Sequence, residues 1–162
     1  MRFCLLFTLL FSAFTSLEGQ IAWPVPTLPT EKQAGGEVDL NGIWTGELLQ
    51  NPGGIAEKFD FSMQLRHNGL FLQGTSFVRF GEIYVEMELS GTREPNGSWK
   101  LTETKILRGE KPPELSWCIK KYELRVYYTK EGLRLSGPWW GDSEYGACVP
   151  GSVHLIRKKK TV

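Results

Sequence analysis

The chain has 162 residues, 41% of them hydrophobic, with 19 basic and 18 acidic side chains and a formal net charge of +1. So even a balance gives no long-range attraction toward nucleic acid or anionic lipid, and the basic run Arg157-Lys158-Lys159-Lys160 reads as a solvated chain end. Once the leader and linker described next are set aside, about 120 residues remain, enough for one hydrophobic core and no more.

Met1-Arg2, an apolar run from Phe3 to Phe14 and a small, polar exit to Gly19 have the layout of a secretory signal peptide. The apolar run is too short to span a membrane. Cleavage is expected after Gly19, with Ser16 as the alternative, so residues 1–19 leave with Cys4 and the mature chain begins at Gln20. The leader removes one charge of each sign, Arg2 and Glu18, and the net charge stays at +1. The mature protein is expected to be exported, periplasmic or extracellular, with no transmembrane segment. Its two remaining cysteines, Cys118 and Cys148, favour a disulfide over a metal site in such a compartment. Residues 20–38 carry Pro24, Pro26, Pro29 and Gly35-Gly36 without periodicity and read as a linker. The folded domain is placed at 39–160.

From Asp39 onward strand follows strand, with no substantial helix. The first runs from Gly42 to Gln50 and is broken by Asn51-Pro52-Gly53-Gly54. The second, Lys58 to Arg66, sets Phe59, Phe61, Met63 and Leu65 on one face and Asp60, Ser62, Gln64 and Arg66 on the other. Asn68-Gly69 is a two-residue hairpin signal that pairs His67 with Leu70. That pairing puts Leu70, Leu72, Gly74, Ser76 and Val78 on the face of Leu65. The fourth strand opposes Val85, Met87 and Leu89 to Tyr84, Glu86 and Glu88, and Glu94-Pro95-Asn96-Gly97 turns it. The fifth, Trp99 to Leu107, is less regular, because Glu103 and Lys105 share phase with Trp99 and Leu101. The sixth carries Tyr122, Leu124, Val126 and Tyr128 on one face, with Glu123 and Arg125 opposite. Thr129 to Gly132 then turns the chain into Leu133, Leu135, Gly137 and Trp139, and Val153, Leu155 and Arg157 form the last strand.

Eight strands joined by short connections, each apolar on one face and charged on the other, define an all-β, antiparallel up-and-down barrel. An outer-membrane barrel would turn Glu86, Glu88, Glu123 and Arg125 toward lipid and is rejected. The tight turns near 68, 95 and 131 fall at one end. The connections 51–57, 108–119 and 141–151, with the short one near Gly81, fall at the other. Candidate ligand-binding residues gather at this mouth: Trp117, Trp140 and Tyr145 in its loops, Trp139 at the strand edge below, and Phe59. The alternative is a lid in which the same aromatics pack on one another.

At the closed end Gly42-Ile43-Trp44 opens the first strand and Arg157 ends the last, so the guanidinium can stack on the indole. Gly42, Trp44 and Arg157 in this arrangement resemble the lipocalins and the wider calycin superfamily over residues 39–158. The resemblance implies an extracytoplasmic barrel that binds a small apolar molecule. The turn Thr129 to Gly132 departs from that family's Thr-Asp-Tyr pattern, and no helix follows the last strand. The opening Gly42-Ile43-Trp44-Thr45-Gly46 also resembles the avidins, but their polar biotin-binding positions are not recognisable here and biotin is not expected.

Little in the sequence points to catalysis. His67 lies beside a closed-end turn and His154 on the outer phase of the last strand, and neither neighbours a nucleophile at a motif spacing. Glu103 and Lys105 face inward on this reading, as an acid–base candidate or as a mutually neutralised pair. Asp142, Ser143 and Glu144 could ligate calcium or form a solvated acidic loop. Asn96-Gly97-Ser98 matches a glycosylation sequon, meaningful in a eukaryotic host. The expectation is a non-catalytic binding protein without metal or cofactor. Its partner is a small hydrophobic or amphipathic ligand, or an envelope or extracellular protein. Two other readings compete: an interaction or inhibitor module that works through its loops over a filled barrel, and a calycin-type enzyme. The aromatics Trp44, Phe59, Phe61, Trp99, Tyr122, Tyr128 and Trp139, with Met63 and Met87, could fill the interior. Room for a ligand remains if Gly46, Gly74, Ser76 and Gly137 cluster at one level.

Overall fold

A computed structural model describes residues 32–34 and 38–158. The expected leader, most of the linker and the end of the basic tail lie outside the described residues. The strands are β1 (Lys32–Gln33), β2 (Gly42–Gln50), β3 (Lys58–Asn68), β4 (Phe71–Phe80), β5 (Ile83–Arg93), β6 (Trp99–Glu110), β7 (Ile119–Tyr128), β8 (Gly132–Ser143), β9 (Gly146–Ala147) and β10 (Gly151–Lys158). No helix occurs among the described residues. Strands β2 to β8 pair antiparallel in chain order, β8 pairs with β10, and β10 returns to β2. Eight strands therefore close on themselves as a calycin-like barrel, and β1 and β9 are short additions to it.

Alternation drives the closure. Phe61, Met63 and Leu65 of β3, Val85, Met87 and Leu89 of β5, and Tyr122, Leu124 and Val126 of β7 are all buried. Their neighbours Asp60, Gln64, Arg66, Glu88 and Lys121 are exposed. Removing one apolar face of every strand from water is the main gain of the fold. Charge pairs decorate the outside, among them Glu47 with Lys58, and Glu86 with Arg108.

Several details differ from the sequence reading. Asn68 pairs with Phe71, so the hairpin turns on Gly69-Leu70, with Gly69 at φ 60°. Glycine leading a two-residue turn is the II′ arrangement. The pairing thus slips by two residues, setting Leu65 opposite Gly74. An even slip keeps every side chain on its face, so Leu72 and Ser76 stay inside, while Leu70 is 60% exposed in the turn. Tyr128 is also outside, 52% exposed, where it pairs with Lys32.

In β6 the pairing with β5 skips Thr104 and Leu107. Each extra residue is a β-bulge that reverses the in–out phase. Glu103, ahead of both, keeps the inward phase of Trp99 and Leu101 and is buried, whereas Lys105, expected to share its face, lies past the first bulge and pairs with Glu88 on the outside. Gly46, Gly74 and Gly137 do not leave room for a ligand. A Cβ on any of them would lie within about 2 Å of the neighbouring strand's carbonyl oxygen. They let adjacent backbones approach at the barrel's bends.

Residues 32–34, within the expected linker, belong to the sheet. Lys32 and Gln33 pair with Tyr128 and Tyr127, and Ala34 N–H donates to the Val126 carbonyl at 2.9 Å. The β6–β7 ladder covers β7 only from Lys121 to Leu124, so β1 occupies the edge that β6 leaves bare.

The tight end is closed as expected. Trp44 is fully buried, and the Arg157 guanidinium lies 5.1 Å from its ring centroid. The indole N–H donates to the Leu40 carbonyl at 2.9 Å, and Arg157 donates to the Asn41 carbonyl. Gly42, at φ 119°, is the pivot that leads the chain into β2. The rings of His67 and Trp99 are perpendicular with centroids 5.1 Å apart, and His67 Nε2 contacts the Gly69 carbonyl at 2.6 Å. It is a closure residue.

Candidate functional site

At the opposite end the barrel opens into a cavity of about 420 Å³. Leu48, Phe59, Val78, Val85 and Trp139 form its walls below, and Trp117 and Tyr145 reach it from the loops. Of the five candidates named from the sequence, Phe59, Trp117, Trp139 and Tyr145 therefore meet in one place. Trp140 does not. It follows Trp139 on β8, so alternation turns it to the outer face, opposite Lys121. Val149, Leu115 and Ile83 also line the space. Val149 and Leu115 sit in connections without periodicity, where no pattern singles them out, whereas Ile83 opens β5 and shares the odd phase of Val85 and Met87.

The loops around the cavity are tied together. Cys118 and Cys148 form a disulfide with their Cα atoms 6.3 Å apart, joining the loop before β7 to the loop before β10. The Cys148 N–H donates to the Gly141 carbonyl, and a side chain at Gly141 would collide with the Ile119 carbonyl and the Cys118 sulfur. The Trp139 indole donates to the Leu49 carbonyl at 2.8 Å, and Gln50 Nε2 donates to the Val149 carbonyl at 3.1 Å. Asn51 N–H donates to the Pro150 carbonyl. Trp117 packs against Gly109, where even a Cβ would come within 3.0 Å of the ring, and the Lys111 ammonium lies 5.9 Å above it. The mouth is a braced frame.

Beneath the cavity lies a polar cluster of which the sequence reading put Ser76, Glu103 and Tyr122 inside but set Lys105 in the place that Lys120 takes. The Glu103 carboxylate, buried in the barrel, accepts from Ser76 Oγ and Tyr122 OH, each at 2.7 Å, on one oxygen. Its other oxygen accepts from the Lys120 backbone N–H at 2.8 Å and the Lys120 ammonium at 3.2 Å. The β6–β7 ladder stops at Thr102–Lys121, one step short of these two residues. The carboxylate thus takes the backbone donor that the interrupted ladder leaves, and the charge of Lys120 with it. Burial, then the negative charge of Glu103, hold the Tyr122 hydroxyl well above its ordinary pKa. One signal in the sequence did mark Lys120: it shares the even phase of Tyr122, Leu124 and Val126.

The remaining candidates lie elsewhere. His154, on the outer face, contacts Ser136 Oγ at 2.7 Å and Ser152 Oγ at 3.2 Å. Partial burial, then the nearby Arg134, lower its pKa. Asp142 lies 3.8 Å from Lys121. Among the described residues no group of three or more His, Cys, Asp or Glu is placed to hold a metal. Ser98 of the sequon is fully buried and donates to Asn96 Oδ1 at 2.6 Å, while Asn96 is exposed in its turn. No protein-family model matches the chain, and no curated protein matches it. The class of the molecule, an eight-stranded closed barrel with a crosslinked mouth, therefore rests on its own architecture.

Proposed function

We propose that this is an exported, non-catalytic binding protein, lipocalin-like in use, that holds a small apolar or amphipathic ligand at the open end of its barrel. The observation that carries this reading is the mouth cavity. Its volume lies within the range of small-molecule sites, its walls are largely apolar, and a few polar groups converge on it. A disulfide is compatible with an oxidising compartment, in line with export and removal of residues 1–19. Native mass spectrometry of protein purified from its own compartment tests the proposal. A co-purifying small molecule lost on mild activation is the expected result, on a chain whose mass begins at Gln20. Protein that carries no such molecule and leaves apolar probes unbound would overturn it.

The interaction-module reading keeps one support. Ile55, 55% exposed, and Tyr145, 74% exposed, stand on the rim and offer apolar contact to a protein surface. The same purification separates the two, because a stoichiometric protein partner would appear in place of the small molecule.

A further inference from the structure

Lys120 lines the cavity, yet its side chain is only 7% exposed. Its ammonium gives one N–H to Glu103 at 3.2 Å and one to the Cys118 carbonyl at 3.1 Å. An ammonium carries three. The third has no acceptor among the described residues, and Glu103 is already committed, with two donors on each oxygen. In the open cavity water can take that N–H, and a ligand oxygen that replaces the water keeps the bond, whereas an apolar group would not.

Charge narrows the chemistry of that molecule. Lys120 and Glu103 are a buried pair of zero net charge. A carboxylate placed on the third N–H would gain attraction from Lys120 but meet repulsion from Glu103, which already holds the same ammonium at 3.2 Å. It would also lose its hydration among apolar walls. An uncharged oxygen takes a charge-assisted hydrogen bond from the same ammonium without the repulsion and with a much smaller loss of hydration.

We propose that the ligand of the mouth cavity carries a neutral hydrogen-bond acceptor, a carbonyl, ester or hydroxyl oxygen, which Lys120 binds, and that Glu103 sets the selection against a carboxylate. This inference rests on the cavity being the binding site. It assigns Lys120 as the group that orients the ligand and Glu103 as a specificity residue that never touches it.

Methyl laurate, dodecanol and laurate, matched in chain length, provide the test by displacing the neutral dye N-phenylnaphthylamine from the mature protein. At a pH of about 8 the laurate is ionised, and the ester and alcohol should bind at least about tenfold more tightly than it does. In Glu103→Gln the counter-charge is gone, so the preference should shrink or reverse through a gain in laurate affinity. Equal or tighter laurate binding to the unaltered protein would overturn the inference, as would an unchanged preference in Glu103→Gln. If that variant does not fold, the selectivity of the unaltered protein remains a sufficient test. Equal binding of all three probes would leave the cavity reading standing and sink this one. Failure of the dye and every probe to bind would overturn both.

Discussion

Arg157 and Trp44 show how two residues distant in sequence close one end of a barrel. The guanidinium covers the indole face and donates to the Asn41 carbonyl, so it satisfies a backbone acceptor while shielding a buried ring. Arg157→Ala should lower stability by about 1–3 kcal/mol, read from urea denaturation, and leave affinity at the mouth unchanged. Tyr122 makes a pH prediction with a definite sign. Its hydroxyl is held protonated in the native state by burial and by Glu103, whereas the unfolded chain ionises it near pH 10. The stabilisation is whole below about pH 10 and is lost as the pH rises further, because the unfolded state then binds fewer protons. Melting temperatures should fall in that range, and Tyr122→Phe should remove about 1.4 kcal/mol per pH unit from the steepness of the fall. A variant with the same alkaline profile as the parent would refute the assignment.

Among elements, the disulfide and the bulged strand β6 have the largest consequences. Cys118 and Cys148 are 30 positions apart, and closing a loop of that size stabilises a fold by about 3–4 kcal/mol on the chain-entropy account. Reduction should lower the melting temperature and speed amide exchange first at 111–118 and 144–150. An unchanged melting temperature would mean that the braced mouth does not depend on the crosslink. The two bulges of β6 decide a matter of chemistry. Without them Glu103 and Lys105 would face inward together; with them Lys105 leaves and Glu103 finds Lys120 across the end of the ladder.

At the scale of the whole molecule, the barrel has one packed half and one hollow half. Leu65, Leu72, Trp99, Leu101, Leu124 and Leu135 fill the closed end, and the long connections with their aromatics surround the open one. Binding should therefore follow the mouth. Trp117→Ala and Tyr145→Ala should weaken affinity for an apolar probe by about 1–3 kcal/mol, and Trp140→Ala, which alters only the outer face, should not. Amide shifts on titration with that probe should concentrate in 51–57, 81–82, 111–118 and 144–150. Shifts centred on the turns at Gly69 or Asn96 would reverse the orientation of function.

Alternation, turn residues and loop lengths determine by themselves that this chain forms eight antiparallel strands, which face of each is apolar except past the bulges of β6, and which end carries the long loops. These are local properties, repeated every two residues, and a register slip of two at Gly69 leaves them intact. The Cys118–Cys148 pairing and the Trp44–Arg157 closure were legible too, because an up-and-down barrel brings its loops to common ends and its first strand against its last. Only the tertiary structure decided the rest. It showed that Gly46, Gly74 and Gly137 admit backbone instead of ligand, since the approach of a neighbouring strand leaves no mark in a single sequence. It turned Trp140 away from the cavity, since loop and strand residues beside each other look alike until the strand's end is known. It joined Glu103 to Lys120, because the β6–β7 ladder stops one step short of them, and neither that stop nor the bulge that turns Lys105 outward is marked in the sequence.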